Sequence, residues 1–193
     1  MNVGIYIYNE AEVLDFSGPF EVFSTASRIC RNDNPFTTFL VSENGKTVIA
    51  RGGYSINPTY GFNNTPKIDL LVVAGGVYDD EIKKEPVLEW IKKQSIDATV
   101  IASVCTGIFL LAEAEVVTNH VVTTHWEDIN DLKANYPNLN VKKSKRWVAH
   151  KNIISSAGIS AGIDMSLHLV TIFYSKMLAE KTAKQMEYHW TKR

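Results

Sequence analysis

The sequence predicts an α/β fold: a three-layer αβα sandwich around a mostly parallel sheet. Short apolar segments alternate with helical segments, the pattern of βαβ units. Ile68 to Ala74 is almost continuously apolar, as a central parallel strand covered on both faces must be. A third segment, Ala102-Ser103-Val104-Cys105-Thr106-Gly107-Ile108, joins a buried strand to a helix through a tight turn.

The elements follow in order. Val3 to Tyr8 reads as the first strand. Gly18-Pro19 opens a helix, since proline fits a first turn and Glu21 favours the positive end of the helix dipole. Val22, Phe23, Ala26, Ile29 and Cys30 give that helix an apolar face, and Cys30 is expected in the core. Phe36 to Ser42 is a second strand, with short pieces at Lys46 to Ala50 and Tyr54 to Ile56 around Gly52-Gly53. After Ile68–Ala74 a helix spans about Asp80 to Gln94, restarting at Pro86. Thr99 to Val104 is a buried strand, Thr106 to Ala114 a helix, Val121-Val122 a short strand, and Trp126 to Asn135 a helix. Val141 to Val148 and Ile153 to Ser156 are the last strands. One long helix then carries Ile163, Leu167, Val170, Phe173, Tyr174 and Met177 on one face.

At 193 residues, with 45% hydrophobic and 21% charged residues, the chain suits a single domain over 1–193. Twenty basic against twenty-one acidic residues remove the general electrostatic case for nucleic acid or an anionic membrane as partner. No apolar run is long enough to span a bilayer, and no basic segment precedes the first strand, so a cytoplasmic protein is expected. Cys30 and Cys105 are expected as reduced thiols, and no histidine or cysteine spacing suggests a metal site.

The elbow places Cys105 at the carboxyl end of the sheet in a strained turn. There the positive end of the next helix is expected to lower its pKa and favour the thiolate. The alternative is a buried structural cysteine. In Leu14-Asp15-Phe16-Ser17-Gly18-Pro19 an acid follows the first strand at the same sheet edge, where open α/β folds bind ligands. Asp15 either caps the helix or faces Cys105, and Glu21 is the rival acid. Gly75-Gly76 lets backbone approach a ligand; with the Thr106 N–H it forms a candidate oxyanion hole, or else an ordinary turn. His125, in Thr123-Thr124-His125-Trp126, is a further candidate at a strand-to-helix junction. The other histidines and the basic run Lys142 to Arg146 read as structural or solvated.

Leu14 to Phe23, Ala74-Gly75-Gly76, Val104-Cys105-Thr106-Gly107, Thr123 to Trp126 and Ser156 to Asp164 together resemble the ThiJ/PfpI superfamily, with its flavodoxin-like, class I glutamine amidotransferase-like fold. The nearest likeness is to isonitrile hydratases and to the sensing domains of AraC-type regulators. Thr106 stands where protease-like members carry histidine after the cysteine, and the late His/Glu pair of the amidotransferases is absent. No helix-turn-helix region follows, so DNA binding is not expected.

The resemblance implies a cofactor-free hydratase acting on a small isocyanide, with Cys105 as nucleophile, Asp15 as proton donor, and Thr106 helping to order water. It also implies a homodimer. A glyoxalase- or deglycase-like enzyme using Glu21 and His125, and a cysteine-based redox or ligand sensor, are the alternatives.

Overall fold

A computed structural model describes residues 1–30 and 33–192. In chain order the elements are β1 (Asn2–Tyr6), α1 (Val13–Ile29), β2 (Thr37–Ser42), β3 (Val48–Ala50), β4 (Tyr54–Ile56), β5 (Tyr60–Gly61) and β6 (Leu70–Val73). They continue with α2 (Glu85–Asp97), β7 (Val100–Val104), α3 (Gly107–Glu113), β8 (Val121–Val122), α4 (Ile129–Asn135) and β9 (Asn140–Val141). The last are β10 (Trp147–His150), β11 (Ile153–Ser156), α5 (Ala161–Phe173) and α6 (Lys176–Gln185).

Seven strands form the central sheet in the order β10-β11-β7-β6-β1-β2-β5, parallel except for the edge strand β10. The chain runs from β1 through α1 to β2 in one direction and from β6 through α2 to β7 in the other. Right-handed crossovers therefore put α1 and α2 on opposite faces. The helices α1, α5 and α6 pack together, as do α2 and α3. Buried Val, Ile and Leu of β1, β6 and β7 fill the space between the layers. The register pairs Tyr6 with Val73, Val73 with Ser103, and Val104 with Ser156. One carboxyl edge thus collects the segments that follow these four strands, and Asp15, Gly75, Cys105 and Ile159 lie on them.

The structure departs from the sequence reading in several places, among them the unforeseen edge strand β5. The first helix begins at Val13 rather than at Gly18-Pro19, so Asp15 lies in its first turn and Pro19 in its interior. Having no N–H, Pro19 cannot bond the Asp15 carbonyl. The expected strand over 141–148 is two, β9 and β10, with the basic run between them as a loop. The long C-terminal helix breaks at Tyr174-Ser175, where Ser175 accepts a hydrogen bond from the Leu178 N–H and caps α6; Met177 is exposed. Cys30 is not core. It is the residue closing α1, half-buried, and its thiol donates to the Tyr174 hydroxyl at 3.1 Å. The restart at Pro86 is present: a 3₁₀ turn over Glu81–Lys83 precedes α2, with Pro86 in its first turn.

Candidate active site

The site is built on Gly75, directly after the central strand β6. Its carbonyl accepts the Glu12 N–H at 2.9 Å and its own N–H donates to Asp15 Oδ2 at 3.2 Å. These two bonds dock the first turn of α1 onto the strand end. A Cβ at position 75 would lie 2.6 Å from the Thr106 nitrogen, 2.7 Å from Asp15 Oδ2 and 2.8 Å from Cys105 Cβ. Glycine is therefore what allows the acid and the cysteine, ninety positions apart in sequence, to meet. Asp15 faces Cys105 rather than capping the helix.

Cys105 has φ +55°, the strained elbow geometry that the sequence predicts. Its N–H bonds the Ser156 carbonyl at 3.3 Å and its carbonyl accepts the Thr124 hydroxyl at 2.9 Å, so neighbouring segments hold the strain in place. The side chain is buried, with 8% of the residue exposed.

Electrostatically the pair rests neutral. Burial, then the nearby Glu12 charge, raises the Asp15 carboxyl to about 8, against the N–H groups of Gly75 and Ile159 and the Cys105 thiol. Oδ1 is fully buried without a well-formed hydrogen bond, which adds to the cost of charging it. Burial and the Asp15 carboxyl also push the Cys105 thiol up, against the pull of the Thr106 N–H and hydroxyl. The lowered thiol pKa expected from the helix end is thus reversed: α3 has only seven residues, and desolvation outweighs it.

Thr106 is held by its hydroxyl, which donates to the Gly76 carbonyl and accepts the Gly76 N–H, both at 2.9 Å. The expected oxyanion donors are consequently engaged in this structure. Gly75 N–H serves Asp15, Gly76 N–H serves Thr106, and Thr106 N–H serves the Cys105 sulfur. Glu21 is not brought to the site; it is exposed on α1 and accepts the Thr25 hydroxyl at 2.7 Å. His125 sits on the neighbouring wall, with Nδ1 3.5 Å from Asp128 and 3.6 Å from Glu127. Its ring lies so close over Gly158 that a Cβ there would overlap it.

Sequence reasoning missed two residues. Tyr8, past the end of β1, has a buried hydroxyl beside the Thr106 side chain, and its phenol is pushed up by burial and then by the Asp15 charge, against the pull of Thr106. Ile159 turns its N–H toward Asp15 from a backbone with φ +54°, an outlier for a β-branched residue. The Ser156 to Asp164 motif contained Ile159, but no pattern marked its conformation.

That turn is clasped from behind. Arg146 bonds the fully buried Asp164 through Nε at 2.7 Å and Nη2 at 2.5 Å, and also reaches the Ser160 hydroxyl at 3.2 Å. From the C-terminal segment, Trp190 Nε1 donates to the Asp164 carbonyl at 3.2 Å and the Thr191 N–H to Asp164 Oδ1 at 2.9 Å. In front of the turn lies a cavity of about 660 Å³, whose lining includes Thr124, His125, Gly158 and Ile159. Among the described residues no three His, Cys, Asp or Glu side chains gather as a metal set, and no helix is long and apolar enough to cross a membrane.

The model of the DJ-1/PfpI family matches residues 1–172. The chain belongs to the DJ-1/PfpI family. It is 28% identical over 189 residues to an isonitrile hydratase of Pseudomonas putida, covering 97% of this chain and 78% of that protein. It is 27% identical over 173 residues to the HTH-type transcriptional regulator CdhR of Pseudomonas aeruginosa, covering 90% of this chain but only 51% of the regulator. Among solved structures, a THiJ/PfpI family protein from Pseudomonas syringae superposes with a TM-score of 0.87 at 24% identity, covering 98% of this chain and 76% of that one. DJ-1beta of Drosophila melanogaster gives 0.83 at 18% identity, covering 98% of both chains. These structural likenesses establish the α/β fold. The DJ-1/PfpI family thus contains both an enzyme and regulators similar to this chain.

Proposed function

We propose that the protein hydrates a small isocyanide to an N-substituted formamide, using Cys105 as nucleophile and Asp15 as proton donor. The observation that carries this reading is the neutral acid–thiol pair: a carboxyl raised to about 8 still holds its proton near pH 7, directly beside a thiol. The likeness to an isonitrile hydratase over nearly the whole chain supports it.

In the first step the sulfur bonds to the terminal isocyanide carbon while Asp15 gives that carbon its proton. The thiol proton replaces it on Asp15, leaving a thioimidate. Water then adds to the C=N bond, its oxygen to carbon and one hydrogen to nitrogen. Collapse forms the formamide C=O, breaks the C–S bond, and returns the hydroxyl proton to sulfur through Asp15. The atoms balance as isocyanide plus water, and the covalent intermediate divides one hard hydration into two easier additions. Thr106, pinned to Gly76, positions its N–H against the sulfur.

The glyoxalase-like reading loses its acid, because Glu21 points away from Cys105 on the outer face of α1. A ligand-sensing role without turnover is favoured by one observation, the similarity to transcriptional regulators. The homodimer expected from the family belongs to the same proposal; exposed Ile49 and Val77, both joined by backbone hydrogen bonds to Glu10, are apolar surface available to it. The deciding experiment is formamide formation from several isocyanides, followed by NMR, beside Cys105→Ser. Cysteine-dependent product establishes the reaction. Binding of isocyanide or formamide without product, unchanged in Cys105→Ser, assigns the sensor role instead.

A further inference from the structure

The cavity in front of the Ile159 turn borders the site through Thr124, whose hydroxyl bonds the Cys105 carbonyl, and its lining combines two kinds of side chain. Trp126, Ile129 and Ile159 are apolar; Trp126 is 75% exposed and Ile159 40%, unusually open for large apolar side chains. Lys143, Lys145 and Arg146 are basic. Acids outnumber bases over the whole chain, yet no Asp or Glu lines this cavity. Arg146 is answered by Asp164. Lys143 and Lys145 form no ion pair among the described residues, while Glu127 and Asp128 are turned to the His125 ring. Uncompensated positive charge and exposed apolar surface therefore share one cavity.

We infer, resting on the hydratase reading, that the substrate carries a carboxylate joined through an apolar body to its electrophilic carbon. The carboxylate meets the ammonium groups of Lys143 and Lys145. The body lies against Trp126 and Ile159, and the reactive end reaches Cys105. Opposite charge in the cavity raises the local concentration of such a molecule and orients it before the thiol attacks.

The test uses the purified full chain and two alkylating reagents, iodoacetate and iodoacetamide, which share a leaving group and differ by one charge. Modification of Cys105 is followed by peptide mass spectrometry, which separates it from Cys30. The rate ratio of iodoacetate to iodoacetamide is divided by the same ratio for a short neutral cysteine peptide. Two screened charges near the path should raise the normalised ratio above one, by up to about fivefold. It should fall toward one in Lys143→Gln/Lys145→Gln and in about 0.5 M NaCl, and persist in Lys181→Gln. A normalised ratio at or below one, or one that the double substitution leaves unmoved, overturns the inference. Failure of the hydratase reading shows separately, as no formamide from either isocyanoacetate or a neutral isocyanide. Hydration of the neutral compound with the higher kcat/KM retains the reaction and overturns the carboxylate.

Discussion

Replacing Asp15 by Asn isolates a cost that the site imposes on the fold. In the unfolded chain this carboxyl titrates near 3.8, and in the folded protein near 8. Because the folded pKa is raised, the folded state binds the proton more tightly. Its contribution to stability is complete below about pH 4 and is lost as pH climbs to 8. Integrating between pH 5 and pH 8 at about 1.4 kcal/mol per pH decade gives a loss of roughly 3.5 kcal/mol. Asn cannot ionise and is free of that loss. Urea unfolding of wild type and Asp15→Asn at pH 5, 6, 7 and 8 measures it. Cys105 does not interfere, since its thiol is raised and titrates above this window. The stability difference should move in favour of the variant by roughly 3.5 kcal/mol across the series. Parallel pH dependences for the two proteins would refute the claim that Asp15 rests protonated, and the proton-transfer step with it.

Other outcomes follow from the same geometry. Cys105→Ser should lower formamide production by at least about a hundredfold while leaving the unfolding midpoint nearly unchanged, as NMR and circular dichroism would show. Gly75→Ala drives a methyl into Asp15, Cys105 and Thr106 and should cost about 2 kcal/mol or more in urea unfolding, with loss of Cys105 alkylation selectivity. Breaking the clasp by Arg146→Met leaves the Asp164 carboxylate buried without its cation and should destabilise by about 3 kcal/mol or more. Asp164→Asn should cost less in the same assay, because it removes the charge that the first variant strands.

The sequence revealed the elements that carry strong local chemistry. The apolar run at Ile68–Ala74 could only be a covered parallel strand, and the cysteine two positions before Gly107 had to sit on a turn; both lie where expected. The beginning of α1 was hidden, since Pro19 reads locally as a start, while docking of Glu12 and Asp15 onto Gly75 winds the helix from Val13. The break at Ser175 was obscured by a helical apolar pattern running through it. The thiol pKa was misjudged because sequence displays a helix end but not the desolvation that opposes it. Tyr8, Ile159 and the partners of Asp164 became visible only through distances, since each meets the site across the sheet edge from a remote segment.

The clasp at Asp164 also bears on how the protein is made. A ribosome delivers Asp15 and Cys105 early and Trp190 and Thr191 late. Until those two residues arrive, the Asp164 carbonyl and Oδ1 lack the partners that secure the turn carrying Ile159. The Cys105 thiol thus exists before its pocket is finished, and the turn facing it is secured by residues translated well after it. Loss of Trp190 and Thr191 would therefore be felt at Cys105, 85 positions earlier in the sequence.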